Sequence, residues 1–354
     1  MGIGTRLLTS GTAAGLIIVA ALAAPAGACD RDAVTVAADG SGDHPTVQAA
    51  VDAAPTGGTT EYVIKIRPGV YRGAVKVPST KPFITLRGLG RSPEDVLIVD
   101  DRANGTAKPE GGTWGTSGSA SVTIAGNDFS ASNLTFSNDF DEAAHPEITN
   151  RQAVAVLTSA DRLVFDRVRF LGNQDTLYLN SANADTIGRV YLRHCYVEGD
   201  VDFIFGRATA VFDRAVVHSL TRGSTTNNGY VTAPSTMIAN PHGFLFWHSR
   251  LTSDAPDGTV YLGRPWHPSG NPDAIGEVVF RESWLGSHIM ASPWSDMSGF
   301  SWRDARFFEY RNTGPGSTVT ADRPQLTDDQ AAAFTPSAYL TGADGWAPDR
   351  DGRH

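Results

Sequence analysis

The sequence is poor in cysteine: Cys29 and Cys195 are the only two in 354 residues, so no disulfide framework holds the fold. Its 9 histidines are scattered, with no HExxH, no CxxC and no Cys/His run, which leaves no metal site and no cofactor to expect. Positive charge is short as well, with 29 Lys+Arg against 38 Asp+Glu and a net charge of -9. A nucleic-acid partner needs a basic face, and so does docking on anionic lipid; both are excluded. There is no GxSxG elbow and no Ser/His/Asp constellation, which argues against a serine esterase of the α/β-hydrolase kind. No apolar run is long enough to span a bilayer.

The amino terminus has a recognisable pattern. Arg6 precedes an apolar run, Ala13 to Ala24, and then Pro25-Ala26-Gly27-Ala28. A charged start, a short apolar core and a small-residue end describe a secretory signal peptide over 1–28 and a secreted product. Cys29 directly after Ala28 gives a second reading, a bacterial lipoprotein anchor, although Ala26 stands where a larger aliphatic residue is preferred. Residues 29–354 show no linker, since Pro, Gly and Ser are spread throughout, and are read as one domain and as a monomer.

The roughly 325 residues that remain are more than one round core usually fills, which favours a domain that grows lengthwise. Runs rich in Val, Ile, Phe and Leu dominate: YVIKIRPGVY, ITLRGLG, DVLIVD, SVTIAG, QAVAVL, RVYLRHC and GEVVF. Helix is scarce. Val47, Ala50, Val51 and Ala54 share one helical face, and Thr327 can cap a short helix in TDDQAAAF. A weak repeat begins at Ala131, Phe165, Leu192, Phe212, Phe246 and Phe280. Its uneven intervals are of the size of the coils in a solenoid of stacked parallel strands with capped ends. The polar stretches 101–118, 138–150, 221–242 and 252–273 read as long loops on that scaffold, forming a cleft.

Two aspartates hold the same phase in consecutive coils: Asp175 follows Phe165 by as many positions as Asp202 follows Leu192. Parallel strands are about 4.8 Å apart, so the two carboxylates stack side by side. At an effective dielectric near 20, their repulsion is roughly 3 kcal/mol. One is then expected to keep its proton while the other ionises, which suits an acid working beside a nucleophile. Phe203, Ile204 and Phe205 give Asp202 an apolar setting. Arg264, followed by Pro265 and Trp266, offers a bidentate counter-charge, and Trp266 offers a flat face for a sugar ring. Gln152 and Gln174 are neutral donors for an oxyanion. Cys195, inside a strand-like run, reads as a buried core thiol.

These motifs resemble those of the pectinesterases, the pectin methylesterases of carbohydrate esterase family 8. The resemblance runs from about Val34 to Leu340 through VAADGSGDHPTVQAAVDAAP, PGVY, GTSGSASVTIAGNDFSASNLTFSN, QAVAV, GNQDTLY, VDFIFG, LGRPW and RPQLT. It implies an all-β chain, a single-stranded right-handed parallel β-helix with short capping helices and long loops. It implies Asp202 as nucleophile, Asp175 as acid and then base, Arg264 as the partner of Asp202, and Gln174 with Gln152 as oxyanion donors. Trp266, Phe205, Tyr178 and Val201 would line the sugar subsites, with Thr116 and Met297 in looser motifs. The partner it implies is methyl-esterified pectin, hydrolysed to methanol and polygalacturonate. One departure is Gly73, where many members have an acidic residue after PGVYR.

Three rival chemistries fit a β-helix with paired carboxylates. A glycoside hydrolase would generate new reducing ends, and a spacing near 5 Å suits a retaining pair. A pectate lyase would want a calcium cage of clustered carboxylates, and no such cluster is present. A non-catalytic carbohydrate-binding β-helix, or an esterase for another ester, is the third.

Overall fold

The computed structural model describes residues 1–4 and 33–349. Most of the expected leader, and Cys29 with it, lie outside the described residues. Among those residues no helix is long and apolar enough to cross a membrane.

Strands pair in parallel, each with the strand one coil earlier or later, and the chain winds as a parallel β-helix. Parallel crossovers are right-handed in nearly all proteins. Three sheets make its walls. The first runs from Ala33–Val36 through Leu163–Leu171 and Phe244–Trp247 to Arg306–Tyr310. The second includes Gly69–Arg72, Val96–Asp100, Tyr196–Gly199, Val216–Ser219, Arg250–Ser253 and Trp284–Leu285. Ser130–Asn138 and Leu163–Leu171 bend at mid-length and serve both. The third sheet holds Val75–Val77, Val122–Ile124, Val156–Thr158, Leu177–Leu179, Val201–Gly206, Gly229–Pro234 and Val260–Gly263.

The repeat seen in the sequence is an interior column. Ala131, Phe165, Leu192, Phe212, Phe246 and Phe280 are successive register partners in the first sheet, all buried. Phe212 stacks on Phe246 at 4.5 Å between ring centroids, and Phe246 on Phe280 at 4.4 Å. Burying one such ring contributes about 1.5–3 kcal/mol.

Two residues past the column, the chain turns from the first sheet to the second, and the turning residue has a positive φ. Asn133, Arg167, His194, Arg214, His248, Glu282 and Arg311 lie between +48° and +53°. A left-handed conformation costs a residue with a Cβ roughly 1–2 kcal/mol, and the stacked core on either side holds it there. The next position is inside the corner, where side chains donate to a carbonyl one coil back. Cys195 Sγ–H reaches the Phe165 carbonyl at 3.4 Å, Ser249 Oγ–H the Phe212 carbonyl at 2.9 Å, and Asn312 Nδ2–H the Phe280 carbonyl at 3.0 Å. Cys195 is thus one rung of a donor ladder, and burial pushes its thiol up to about 12.

The column ends in a charge. Glu309 is the register partner of Phe280. Arg323 holds its carboxylate in a fork at 2.8 Å on both oxygens, with both side chains at most 2% exposed. At the other end the helix Val47–Ala53, capped by the Thr46 hydroxyl, turns Val47, Ala50 and Val51 into the core. Thr327 and Gln330 form a reciprocal cap on the helix Asp328–Ala331. Ala331, Tyr339 and Leu340 then cover the outer apolar face of the first sheet at Val211, Leu245 and Val279.

Two of the four stretches expected as loops carry strands. Gly229–Pro234 lies within 221–242, and Val260–Gly263 within 252–273. These two strands of the third sheet are short and mix Gly, Thr and Tyr with apolar residues, so they read as loop. Within QAVAVL the strand begins only at Val156.

Two stability changes are expected, measured by denaturant unfolding. Arg323→Met leaves the Glu309 carboxylate buried and unpaired, a loss of about 3–5 kcal/mol. Cys195→Ser exchanges one donor for another and shifts stability by less than about 1.5 kcal/mol. Equal effects from the two substitutions would contradict the assignment.

Candidate active site

The outer face of the third sheet is the floor of a cleft of about 670 Å³. Side chains alternate along each strand, so Leu177 and Ile204 point into the helix core while Tyr178 and Phe205 point into the cleft. Leu157, Tyr178, Phe205 and Ala233 are register partners in sequence along the floor. Tyr178 stacks on Phe205 at 4.2 Å between centroids, and Trp266 meets Phe205 edge-on at 5.6 Å. Gly206 ends this strand at φ +117°, and a Cβ there would lie 2.0 Å from the Leu179 carbonyl, so the coils close up only with glycine.

Asp175 and Asp202 stand where the third-sheet coils enter this floor. Leu177 pairs with Ile204, and just before that pair Asp175 and Asp202 line the same cleft, near enough for the charge of Asp202 to act on Asp175. The Asp175 backbone N–H donates to the Val201 carbonyl at 3.1 Å. Both aspartates have positive φ, +68° and +51°. The register of the third sheet shifts between Val201 and Ile204, so Asp202 occupies a β-bulge, a device that re-aims a side chain. Strained backbone of this kind clusters at functional sites.

The two carboxyls differ in their partners. Arg264 grips Asp202 through Nε–H to Oδ1 at 2.8 Å and Nη2–H to Oδ2 at 2.6 Å. The other side of the guanidinium faces the Tyr230 ring, 3.8 Å from its centroid, and Tyr230 stacks in turn on Tyr261. Burial raises the Asp202 pKa, and Arg264 offsets only part of that rise through its hydrogen bonds and charge. Asp175 is buried, and its carboxyl makes no hydrogen bond among the described residues. Burial first, and then the charge of Asp202, hold its pKa well above the carboxylate range. The favoured state is a neutral Asp175 beside an ionised Asp202. A third carboxylate, Asp200, pairs with Arg222 at 2.6 Å, and its charge adds to the rise at both aspartates.

Gln152 and Gln174 line the same cleft. Neither amide side chain has a hydrogen-bond partner among the described residues, and Gln152 Oε1 is buried without one. Thr116 lines the wall with its Oγ1 accepting from Asn104 Nδ2 at 2.9 Å, and Met297 lines the cleft as well. Val201 is not part of the wall; it pairs with Tyr230 in the sheet. Sequence reasoning missed Trp114, which lines the cleft, and Tyr230 behind Arg264. Both sit in stretches read as loop, and the GTWG context of Trp114 was the only available signal. Among the described residues no three His, Cys, Asp or Glu side chains converge as a metal site.

The pectinesterase family model matches residues 33–343. The chain is similar to pectinesterase 31 of Arabidopsis thaliana, 38% identical over 317 residues that cover 87% of this chain and 92% of the relative. It is similar to pectinesterase A of Dickeya dadantii strain 3937, 37% identical over 374 aligned positions that cover 96% and 98%. Among solved structures, a pectin methylesterase in complex with a hexasaccharide superposes with a TM-score of 0.80 at 36% identity, covering 89% of this chain and 97% of that one. The carrot pectin methylesterase does so with 0.73 at 32% identity, covering 88% and 93%.

Removing the guanidinium tests the electrostatic asymmetry. In Arg264→Gln the Asp202 carboxyl, still buried, titrates at a higher pH than in the parent. Side-chain carboxyl ¹³C NMR reads the shift, and an unchanged Asp202 titration would contradict the account.

Proposed function

The chain belongs to the pectinesterase family, and from that premise we propose that it hydrolyses the C6 methyl esters of galacturonosyl residues in pectin, releasing methanol and polygalacturonate. The observation that carries the reading is the pairing of a buried carboxyl that has no partner, Asp175, with a carboxylate held by a guanidinium, Asp202. Support comes also from the relatives named pectinesterase and from the hexasaccharide held by a similar structure.

The arrangement of the site supports the following steps. Tyr178, Phe205 and Trp266 form the apolar floor and wall on which sugar rings lie. Ionised Asp202 attacks the ester carbonyl carbon, and the carbonyl π pair moves onto oxygen. The amides of Gln152 and Gln174 donate to that oxyanion. Asp175 gives its proton to the methoxy oxygen, the C–O bond breaks, and methanol leaves. The uronyl group then remains joined to Asp202 as an anhydride. Asp175, now ionised, takes a proton from water as that water attacks the uronyl carbonyl. The anhydride bond to Asp202 breaks, the uronic acid departs and loses its proton to solvent, and both aspartates return to their starting states. Arg264 orients Asp202 and favours its ionised form whenever the carboxylate is free.

This scheme requires Asp202 ionised and Asp175 protonated in the free enzyme. Acidification through the Asp202 pKa removes the nucleophile, and alkalinisation through the raised Asp175 pKa removes the acid. The pH profile of kcat/KM is therefore bell-shaped. Asp202→Asn abolishes methanol release from highly methylated pectin with the circular dichroism unchanged, whereas retained turnover would reject the nucleophile. Arg264→Lys loses most of the activity, because a point charge does not replace a fork; parental rates would remove Arg264 from the site. Chelator leaves the rate unchanged. New reducing ends in place of methanol would identify a glycoside hydrolase and overturn the reading.

A further inference from the structure

Gln152 reaches the cleft from backbone that belongs to no strand. Within its run the strand begins only at Val156, so the sheet ladder does not fix the residues before it. A group that meets developing charge must be held to within about 0.5 Å, and here groups from other coils do the holding. The Gln152 carbonyl accepts from the Asn104 N–H at 2.7 Å, and the Ala153 N–H donates to the Gln174 carbonyl at 3.1 Å. The next N–H, that of Val154, donates to the Ser119 hydroxyl at 3.1 Å.

Asn138 ties these pieces together. It ends the strand Ser130–Asn138 beside Asp100 and is 2% exposed. Its Nδ2 donates to the carbonyls of Arg102 at 2.9 Å, Ser119 at 3.1 Å and Val154 at 3.1 Å. Two hydrogens serve three acceptors, so one hydrogen is shared. Its Oδ1 accepts from the Phe140 N–H at 3.1 Å. That bond turns the outgoing chain, and Phe140 packs with Ala103 and with Ala153, the neighbour of Gln152. Ser119 completes the junction, since its Oγ–H donates to the Thr116 carbonyl at 2.7 Å. Both ends of the Asn138 amide are thus spent on backbone around Gln152, and Asn138 itself does not line the cleft.

We propose that Asn138, together with Ser119, is a positioning residue for the oxyanion step: it clamps the strandless segment that carries Gln152 and so aims the Gln152 amide at the ester oxygen. The proposal rests on the esterase reading, in which Gln152 donates to that oxygen. Without the Asn138 amide, three buried carbonyls lose a donor, and the segment relaxes away from the wall. The Gln152 amide then no longer meets the oxygen as its charge develops. The fork of Arg264 on Asp202 and the stack of Tyr178 on Phe205 draw nothing from Asn138. The loss therefore falls on kcat, while KM and both limbs of the pH profile are kept. A donor moved by about 1 Å costs on the order of ten- to a hundredfold in rate.

The test is a double-mutant cycle on the full chain, with methanol release from highly methylated pectin as the readout and circular dichroism as the check on folding. Asn138→Ala lowers kcat by about ten- to a hundredfold with KM within about twofold of the parent. Gln152→Ala lowers kcat by about a hundred- to a thousandfold. With Gln152→Ala in place, adding Asn138→Ala costs less than about twofold more, because the group it positions is gone. Losses that multiply, or a loss that appears in KM instead of kcat, would overturn the proposal. Ser119→Ala removes one hydroxyl from the same junction and decides the matter if Asn138→Ala does not fold. It lowers kcat by about two- to tenfold and adds nothing to Gln152→Ala; a parental kcat in Ser119→Ala would overturn the proposal equally. Release of no methanol by the parent would instead sink the esterase reading, so the two failures are distinguishable.

Discussion

Two neighbouring carboxyls in a buried wall do not readily carry two charges, and a single guanidinium decides which one does. Arg264 forks onto Asp202 and leaves Asp175 with burial and a neighbouring anion. Every other feature of the site follows that division. The stacked pair Tyr178 and Phe205 keeps the floor apolar, which keeps the dielectric low and the division sharp. Tyr230 backs the guanidinium, and the charge of a third carboxylate, Asp200, paired with Arg222, raises both pKa values.

The solenoid supplies the spacing. Asp175 and Asp202 are separated along the chain by the same interval as the turning residues Arg167 and His194. Their coil carries no large insertion, so equivalent positions fall on adjacent rungs. The bulge at Asp202 then departs from the regular ladder at the one place where the chemistry needs a side chain turned into the cleft. The neighbouring coils carry the insertions, and these bring Trp114 and Arg264 to the same opening.

Much of this was legible in the sequence because the interior column is made of large apolar residues at coil intervals. Phe165, Phe212, Phe246 and Phe280 show through even though the coil lengths vary. The phase of Asp175 and Asp202 against that column was readable for the same reason, and the motifs resembling pectinesterases located Arg264 and both glutamines. The third sheet was much less readable. Its strands near Tyr230 and Tyr261 are short and half polar, because one face is a cleft floor. The bulge, the left-handed corners at residues such as His248 and Glu282, and the role of Cys195 as a donor rung depend on backbone geometry that residue type alone does not encode. Tyr230 was invisible because its partner Arg264 belongs to the following coil, just beyond the strand that pairs with its own.

The division of charge is most directly tested by neutron diffraction from perdeuterated protein at neutral pD. The account predicts a deuteron on the carboxyl of Asp175 and none on that of Asp202, with the deuterons of Arg264 aimed at both Asp202 oxygens. A deuteron on Asp202, or an ionised Asp175, would contradict it.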